Sequence, residues 1–377
     1  MSLFAPAATV RAVSLAPTLQ QTDRTFVRHQ GRRLIYFGGC DYFRLASHPD
    51  VLRALHEGAD RFGLNVAASR TTTGNHALFV RLEKVLAKFF GVERAALFSS
   101  GYTTNLAFTQ TYAGRFTHAL IDERTHHSPR DAASFLSCPL RPFRHRDVKH
   151  LRQELRACGK SARPLIITDG LFSHDGSTAP LTEYLAALPH RGMLLVDDAH
   201  GAGTLGRTGR GTPEVCGVRD PRLVQTISLS KAFGVYGGAV LGSAAVIEAI
   251  QSRSHIFIGN TPPPLPLVNA TLQSLQILRS DRSLRQRLHA NITRLKTTLR
   301  AAGLETPDNL SPLVAVVPRT ARHAARTAQE LRGAGIYPPL IHYSGGLPHG
   351  YFRLAISSEH TAAQLDTLAE VLIASLR

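Results

Sequence analysis

Lys231 is the residue whose position first suggests chemistry. It follows the apolar run 223–229 in the segment SLSKAFG, and a short apolar run bounded by polar residues predicts a buried strand. Lysine is rarely buried unless it is paired or covalently engaged. Desolvation favours the neutral amine, which can then act as a nucleophile or a base. Lys231 is therefore a candidate for Schiff-base formation, although an exposed lysine at a strand end is the simpler interpretation of this residue alone.

Asp197 and His200 form a second candidate group. Asp197 closes the apolar run 193–196, and His200 follows three residues later. A buried carboxylate can pair with a protonated pyridine nitrogen and keep the ring electron-poor, and an imidazole can bind the phenolic oxygen of the same cofactor. A metal site or a structural Asp–His pair would use the same residue types. The downstream Lys231 favours pyridoxal 5'-phosphate (PLP), held as a Schiff base on Lys231, with no metal.

The turn Ser99-Ser100-Gly101-Tyr102 is a candidate phosphate site. It follows the apolar run 95–98, and small residues that open a helix direct free backbone N–H groups and the positive end of the helix dipole at an anion. Ser228 adds a hydroxyl near Lys231. An ordinary strand-to-helix turn would have the same composition.

Alternating apolar runs and amphipathic stretches predict a largely parallel sheet covered by helices on both faces. The runs 95–98, 165–168, 193–196 and 223–229 are interpreted as buried strands, and each precedes a cluster of reactive side chains. Ligands bind outside the carboxyl ends of strands in such sheets. We therefore expect these clusters to line one crevice.

The proline-rich segment 260–266 is the sharpest break in the chain, because proline removes backbone donors and restricts the residue before it. Beyond it the pattern predicts one long helix over 267–304, strands at 313–317 and 351–356, a helix near 321–334 and a last helix after Thr361. The predicted division is a segment 1–44 that joins the small domain, a large PLP-binding domain 45–262, and a small α+β domain 263–377.

The composition is that of a globular protein, with 43% hydrophobic and 19% charged residues among 377. No run approaches the roughly 18 apolar residues of a membrane span and the start lacks a secretory signal pattern, so we expect a cytoplasmic protein. The formal net charge of +17 would attract polyanions. Because the basic residues are dispersed and no nucleic-acid motif is recognised, we expect phosphates, coenzyme A or an acidic carrier protein and not nucleic acid.

The order of these motifs resembles that of the α-oxoamine synthases, a family of PLP-dependent fold-type I (aspartate aminotransferase-like) enzymes. The resemblance extends from about residue 38 to the C-terminus, over the stretches NHALFVRLEKVLAKFFG, LFSSGY, DERTHHS, TDGLFSHDGSTAPL, VDDAHGAGTLGRTGRG, SLSKAFGVYGG and FRLAISSEHT. It implies an α/β fold with a mostly parallel seven-stranded sheet between helices and a smaller α+β domain. It also implies an acyltransferase, similar to 8-amino-7-oxononanoate synthase. Such an enzyme condenses a small amino acid with acyl-CoA or an acyl carrier protein to an aminoketone, usually with decarboxylation, as a homodimer with a shared active site.

The resemblance also implies a role for each matching residue. Lys231 would carry the Schiff base, Asp197 would pair with the pyridine nitrogen, and His200 would contact the ring oxygen. His126 would stack on the ring, and His126 or His200 would polarise the thioester carbonyl.

The remaining implied contacts are with phosphate, ring and substrate. Arg353 would bind the amino-acid carboxylate, a task suited to a planar guanidinium. Ser173 would lie beside the ring. Asn260 occupies the position of a threonine that reaches phosphate from the neighbouring subunit. The residues that would bind phosphate within the chain are Ser100, Gly101, Tyr102 and Ser228.

Some positions depart from the family pattern. Asp198 replaces a glutamate in the motif DDAH, Arg44 replaces a glycine in the motif 41–45, and the segment 65–73 lacks the usual glycine-rich composition. These departures concern the substrate more than the cofactor. A fold-type I aminotransferase remains an alternative, and a nucleic-acid-binding protein that uses the +17 charge is a more distant one.

Overall fold

The computed structural model describes residues 15–342 and 347–375. Its strands are β1 (Gln20–Gln21), β2 (Phe26–His29), β3 (Arg32–Ile35), β4 (Arg94–Phe98), β5 (His118–Asp122), β6 (Leu140–Phe143), β7 (Pro164–Asp169), β8 (Met193–Asp197), β9 (Leu223–Ser228), β10 (Gly238–Gly242), β11 (Leu313–Val316), β12 (Leu340–Ile341) and β13 (Tyr351–Ala355). Its α-helices are α1 (Pro49–Phe62), α2 (Ala77–Phe90), α3 (Gly101–Thr111), α4 (His127–Ala132), α5 (Val148–Ala157), α6 (Leu181–Ala187), α7 (Thr212–Val215), α8 (Ala244–Arg253), α9 (His255–Ile258), α10 (Leu265–Ser280), α11 (Arg282–Ala301), α12 (Ala321–Gly333) and α13 (Ala362–Ser375). None of these helices is long and apolar enough to cross a membrane.

The central sheet has seven strands in the order β4-β10-β9-β8-β7-β5-β6. Strands β9, β8, β7, β5 and β6 are parallel, whereas β10 runs antiparallel to both β4 and β9. The predicted fold class, a mostly parallel seven-stranded sheet between helices, is therefore confirmed.

Side chains of the central strands alternate between two apolar layers. Leu165 and Ile167 of β7 pack in one cluster with α3 and α8, whereas the intervening Ile166 packs in another with α5 and α6. Successive side chains of a strand point to opposite faces of the sheet, so both faces of the sheet are covered. This burial explains why these strands are continuous apolar runs in the sequence.

A second, antiparallel sheet has the order β11-β13-β12. The N-terminal hairpin β2–β3 reaches the segment before β12, because Ile35 N donates to Gly335 O at 2.7 Å and Tyr337 N donates to Ile35 O at 2.9 Å. The N-terminal segment thus contacts the C-terminal part of the chain. The domain boundaries at 44/45 and 262/263 stay predictions, and α10, which follows the second boundary, packs against α1 and α2.

The single helix predicted over 267–304 is wrong. The structure has two helices that meet at Asp281, whose carboxylate accepts a hydrogen bond from Ser283 N at 2.9 Å. Aspartate is a favoured N-cap because its side chain satisfies a free N–H of the first turn. The apolar periodicity continues across this cap, so the sequence pattern does not indicate the break between the two helices.

Candidate active site

A pocket of about 240 Å³ lies at the carboxyl ends of the parallel strands. It brings together eight of the predicted site residues, namely Ser100, Gly101, Tyr102, His126, Asp197, His200, Ser228 and Lys231. It is also lined by residues to which sequence analysis gave no role, namely Ser128, Asp169, Leu171, Ala199 and Ser230. Lys231 is half-buried. Over the described parts of the chain, no side chain or carbonyl accepts a hydrogen bond from its amine.

The Asp197 carboxylate is held by two donors. Asn105 Nδ2 donates to one carboxylate oxygen at 2.7 Å, and Ala199 N donates to the other at 3.1 Å. Thr226 Oγ1 donates to the amide oxygen of Asn105 at 2.8 Å and thereby orients it. Asn105 is not among the residues predicted from the sequence. A signal was present, because asparagine is a poor helix former and its place inside α3 requires a buried partner.

His200 is buried and pairs with Tyr42. Its Nδ1 lies 2.7 Å from the Tyr42 hydroxyl. Burial, followed by the positive charges of Lys231 and Arg353, lowers the pKa of His200 well below its ordinary value. Burial also raises the pKa of Tyr42 well above its ordinary value. A neutral imidazole therefore faces a protonated phenol, and its Nε2 is left for another partner.

His126 is the N-cap of α4. Its Nδ1 accepts a hydrogen bond from Ser128 N at 3.2 Å, so the neutral ring carries its proton on Nε2. Burial lowers the pKa of His126, although the charge of Asp197 opposes this shift. The backbone N–H of His126 donates to Asp169 at 3.2 Å. Burial, together with the nearby Asp197, raises the pKa of Asp169 well above its ordinary value.

The predicted phosphate turn opens the eleven-residue helix α3. Ser100 is its N-cap and accepts a hydrogen bond from Thr103 N at 3.3 Å. A Cβ on Gly101 would lie 2.9 Å from the Ser228 Cβ, so only glycine permits this approach of helix and strand. The Tyr102 hydroxyl donates a hydrogen bond to Asp131. The group that Tyr102 can offer to a phosphate is therefore its backbone N–H, in the first turn of α3.

The other predicted site residues lie outside the lining of this pocket. Ser173 is buried in the turn after β7. Asn260 donates to Ser99 Oγ at 3.3 Å and lines a separate small cleft. Arg353 lies on β13, and its positive charge contributes to the lowered pKa values of both His126 and His200. Arg353 is therefore within electrostatic range of the pocket. Asn260, in contrast, does not line the pocket of its own chain.

Arg44 and Asp198, two departures from the family pattern, have structural explanations. Arg44 adopts the left-handed conformation, with φ of 53°, where the family's glycine is favoured. Its buried side chain donates to Tyr36 O at 3.0 Å. Asp198 is also buried and accepts hydrogen bonds from Thr212 N at 2.9 Å and Gln225 Nε2 at 2.8 Å. Neither lines the pocket.

The pocket residues fit PLP group by group. The N-terminus of α3 and the neighbouring serine hydroxyls can hold a phosphate. The anchored carboxylate of Asp197 suits a protonated pyridine nitrogen, and the free Nε2 of His200 suits the ring oxygen. The amine of Lys231 lines the same pocket and is available to the aldehyde.

Comparison with known proteins gives the same assignment. The family model "Aminotransferase class I and II" matches residues 34–372. The 8-amino-7-oxononanoate synthase of Thioalkalivibrio sulfidiphilus is 36% identical over 352 residues, which cover 92% of this chain and 89% of that protein. A solved serine palmitoyltransferase from S. paucimobilis has a TM-score of 0.88 at 28% identity, and the match covers 95% of this chain and 92% of that one.

A solved 8-amino-7-oxononanoate synthase from Francisella tularensis has a TM-score of 0.79 at 28% identity, and the match covers 91% of this chain and 98% of that one. The family model, the relatives and the solved structures thus agree on the fold and the cofactor. The chain therefore belongs to the aminotransferase class I and II family and is a PLP-dependent acyltransferase of the α-oxoamine synthase family, as its sequence predicts.

Proposed function

We propose that this chain condenses a small amino acid with an acyl thioester, either acyl-CoA or an acyl carrier protein, to give an aminoketone, usually with decarboxylation. The reaction would be similar to that of 8-amino-7-oxononanoate synthase. The observation that supports this most strongly is that Lys231, Asp197 and His200 line one pocket. Each of these residues offers the group that its expected role needs.

Different residues around the pocket would bind the cofactor and the amino acid. Ser100, Gly101, Tyr102 and Ser228 would hold the phosphate, and Ser173 would lie beside the ring. Arg353 would bind the amino-acid carboxylate with its planar guanidinium. Its electrostatic effect on His126 and His200 supports this role, because it shows that the charge is near the pocket.

Lys231 would act as the base once the amino acid is bound. Its Nζ would take the proton from the amino-acid Cα and hold it during the condensation. PLP supplies an electron-poor ring that stabilises the negative charge left on that carbon. Asp197 would keep the pyridine nitrogen protonated, and the two donors to its carboxylate hold it in place for this task.

His126 would polarise the thioester carbonyl. Its Nδ1 already accepts a backbone hydrogen bond, so the proton on Nε2 is the one that it can donate. Burial keeps the ring neutral by lowering its pKa. His200, bound to Tyr42 at Nδ1, would use Nε2 for the ring oxygen or assist at the same carbonyl.

We also propose a homodimer with a shared active site. Asn260 does not line the pocket of its own chain, which is compatible with a contact to the phosphate in a neighbouring subunit. The cytoplasmic location stays a prediction.

A matrix of substrates tests the proposed function. Purified protein is incubated with glycine, alanine or serine and with acyl-CoA or acyl carrier protein of several chain lengths, and thioester release is measured. We expect release only when both substrates are present. Amino-group transfer to a keto acid without any thioester would instead identify an aminotransferase, and it would refute the proposed function.

A further inference from the structure

A cavity of about 1180 Å³ lies between the turns after β5 and β7 and the segment from the end of α11 to β13. It is distinct from the smaller pocket that contains Lys231. The described residues that line it are Arg124, His174, Asp175, Arg300, Gly303, Leu304, Glu305, Thr306, Pro307, Ala315, Val317, Leu347, Pro348 and Tyr351. Its size suits an organic ligand.

Several residues of the cavity are neighbours, along the chain or across a strand pair, of residues predicted to bind cofactor or amino acid. His174 of the cavity is the chain neighbour of Ser173, one of the predicted site residues. Ala315 of the cavity is the direct cross-strand partner of Arg353. Tyr351 also lies two positions before Arg353 on β13 and therefore on the same face of the strand. The cavity thus borders Arg353, the residue expected to bind the amino-acid carboxylate.

The wall formed by the C-terminal part of the chain is mostly apolar. Leu304, Pro307 and Ala315 line it together with Val317 and Leu347. Val317 is 54% exposed and Leu347 is 48% exposed. Apolar side chains that remain exposed in a concave surface are typical of ligand sites.

The polar groups of the cavity do not favour an anion. Arg124 and Arg300 are balanced by Asp175 and Glu305 among the lining residues. The cavity therefore suits a largely apolar chain without a large net charge.

We propose that this cavity binds the extended chain of the acyl thioester while its carbonyl carbon reaches the PLP pocket. The inference rests on the proposed function, because it assigns a place to the second substrate of that reaction. Two parts of such a donor have the required chemistry, namely the acyl chain and the pantetheine arm with its amides. The experiment distinguishes them.

Val317→Trp tests the proposal by filling the cavity from a half-exposed position. Val215→Trp is the matched control, since Val215 is also 54% exposed but does not line this cavity. We expect Val317→Trp to lower kcat/KM for the thioester by about tenfold or more, the effect of losing contact with about two methylene groups. The dissociation constant of the amino acid, measured from the visible spectrum of the holoenzyme, should stay unchanged in both variants.

The choice of donor shows which part of the chain binds. Recovery of kcat/KM with a shorter acyl group assigns the cavity to the acyl chain. Recovery with an N-acetylcysteamine thioester of the same acyl group assigns it to the pantetheine arm. An unchanged kcat/KM with every donor, or an equal loss in Val215→Trp, overturns the inference. Absence of thioester turnover in the wild-type enzyme would refute the proposed function itself, which is a different result.

Discussion

Hydrogen bonds and burial fix the orientation or the charge of several pocket residues. The Asp197 carboxylate accepts hydrogen bonds from Asn105 and Ala199, which hold it in place. Burial keeps His126 and His200 neutral by lowering their pKa values. Lys231 lines the same pocket as this carboxylate and these two imidazoles.

Lys231→Ala tests the Schiff base directly. We expect the visible absorbance of the purified protein to disappear, because no other amine lines the pocket among the described residues. Lys160→Ala, at an exposed position, is the control and should keep the spectrum. A visible spectrum that is unchanged in Lys231→Ala would contradict the assignment.

Tyr42→Phe tests whether the phenol positions His200. The substitution leaves Nδ1 of a buried imidazole without its hydrogen bond at 2.7 Å. Loss of one such bond costs about 1 to 2 kcal/mol, so kcat should fall about tenfold. The visible spectrum of the bound cofactor should also shift, which a purely structural role would not cause. Retention of the wild-type spectrum and kcat would show that the bond has no role in the site.

The residues that offer reactive groups can be proposed from the sequence, but the residues that hold them cannot. Lys231, Asp197 and His200 follow apolar runs, and this local pattern identifies a strand end. Tyr42 and Asn105 act across 158 and 92 positions of the chain. Such contacts depend on tertiary packing, which one sequence does not encode in any local spacing.

At the level of elements, the strand ends and the first turn of α3 determine where the site lies. Parallel strands β7 and β8 place Asp169 directly beside Asp197. The close approach of Gly101 to Ser228 joins the helix terminus to β9. The apolar runs predicted this edge of the sheet correctly. They did not predict the break between α10 and α11, because the apolar face of the two helices is continuous and only the cap at Asp281 marks it.

The turn at Arg44 gives a prediction on stability. Arg44→Gly and Arg44→Ala both lose the hydrogen bond to Tyr36 O, but only alanine keeps the strain of the left-handed conformation. We expect the free energy of unfolding of Arg44→Ala to be lower than that of Arg44→Gly by about 1 kcal/mol. Denaturant unfolding measures both values. Equal stability of the two variants would show that the turn relaxes to another conformation.

Asp198, at the end of β8, gives a prediction on pH. Burial, the largest cause, raises its pKa from 3.8 to about 7 in the folded protein. The unfolded chain therefore releases this proton at a lower pH than the folded chain does, so the contribution of Asp198 to stability is lost as the pH rises from about 4 to 7.

Asp198→Asn removes this titration. We expect the free energy of unfolding of the wild type, relative to Asp198→Asn, to decrease as the pH is raised from 5 to 7. Denaturant unfolding at several pH values measures this difference. Glu57→Gln, at an exposed position, serves as the control for loss of a surface carboxylate. A difference that stays constant with pH would contradict a raised pKa at Asp198.

At the scale of the whole molecule, the N-terminal and C-terminal parts of the chain are joined beside the site. The hairpin β2–β3 contacts the segment 335–337, and β13 carries Arg353 towards the pocket. The cavity proposed for the acyl donor is lined by residues from Arg124 to Tyr351, none of which belongs to this hairpin. Substrate binding should therefore depend on residues that are far apart in the sequence, and local patterns could not reveal that cavity.

The shared active site of the proposed homodimer can be tested by subunit mixing. If Asn260 binds the phosphate in the neighbouring subunit, Asn260→Ala weakens PLP binding and Lys231→Ala prevents Schiff-base formation. A mixed dimer of the two variants then contains one site with the native Lys231 and the partner's native Asn260. After unfolding and refolding an equal mixture, about a quarter of all sites should regain tight PLP binding, because half of the dimers are mixed. The visible absorbance that survives dialysis measures this fraction. If both residues instead serve the same chain's site, mixing would leave the absorbance at the mean of the two separate variants.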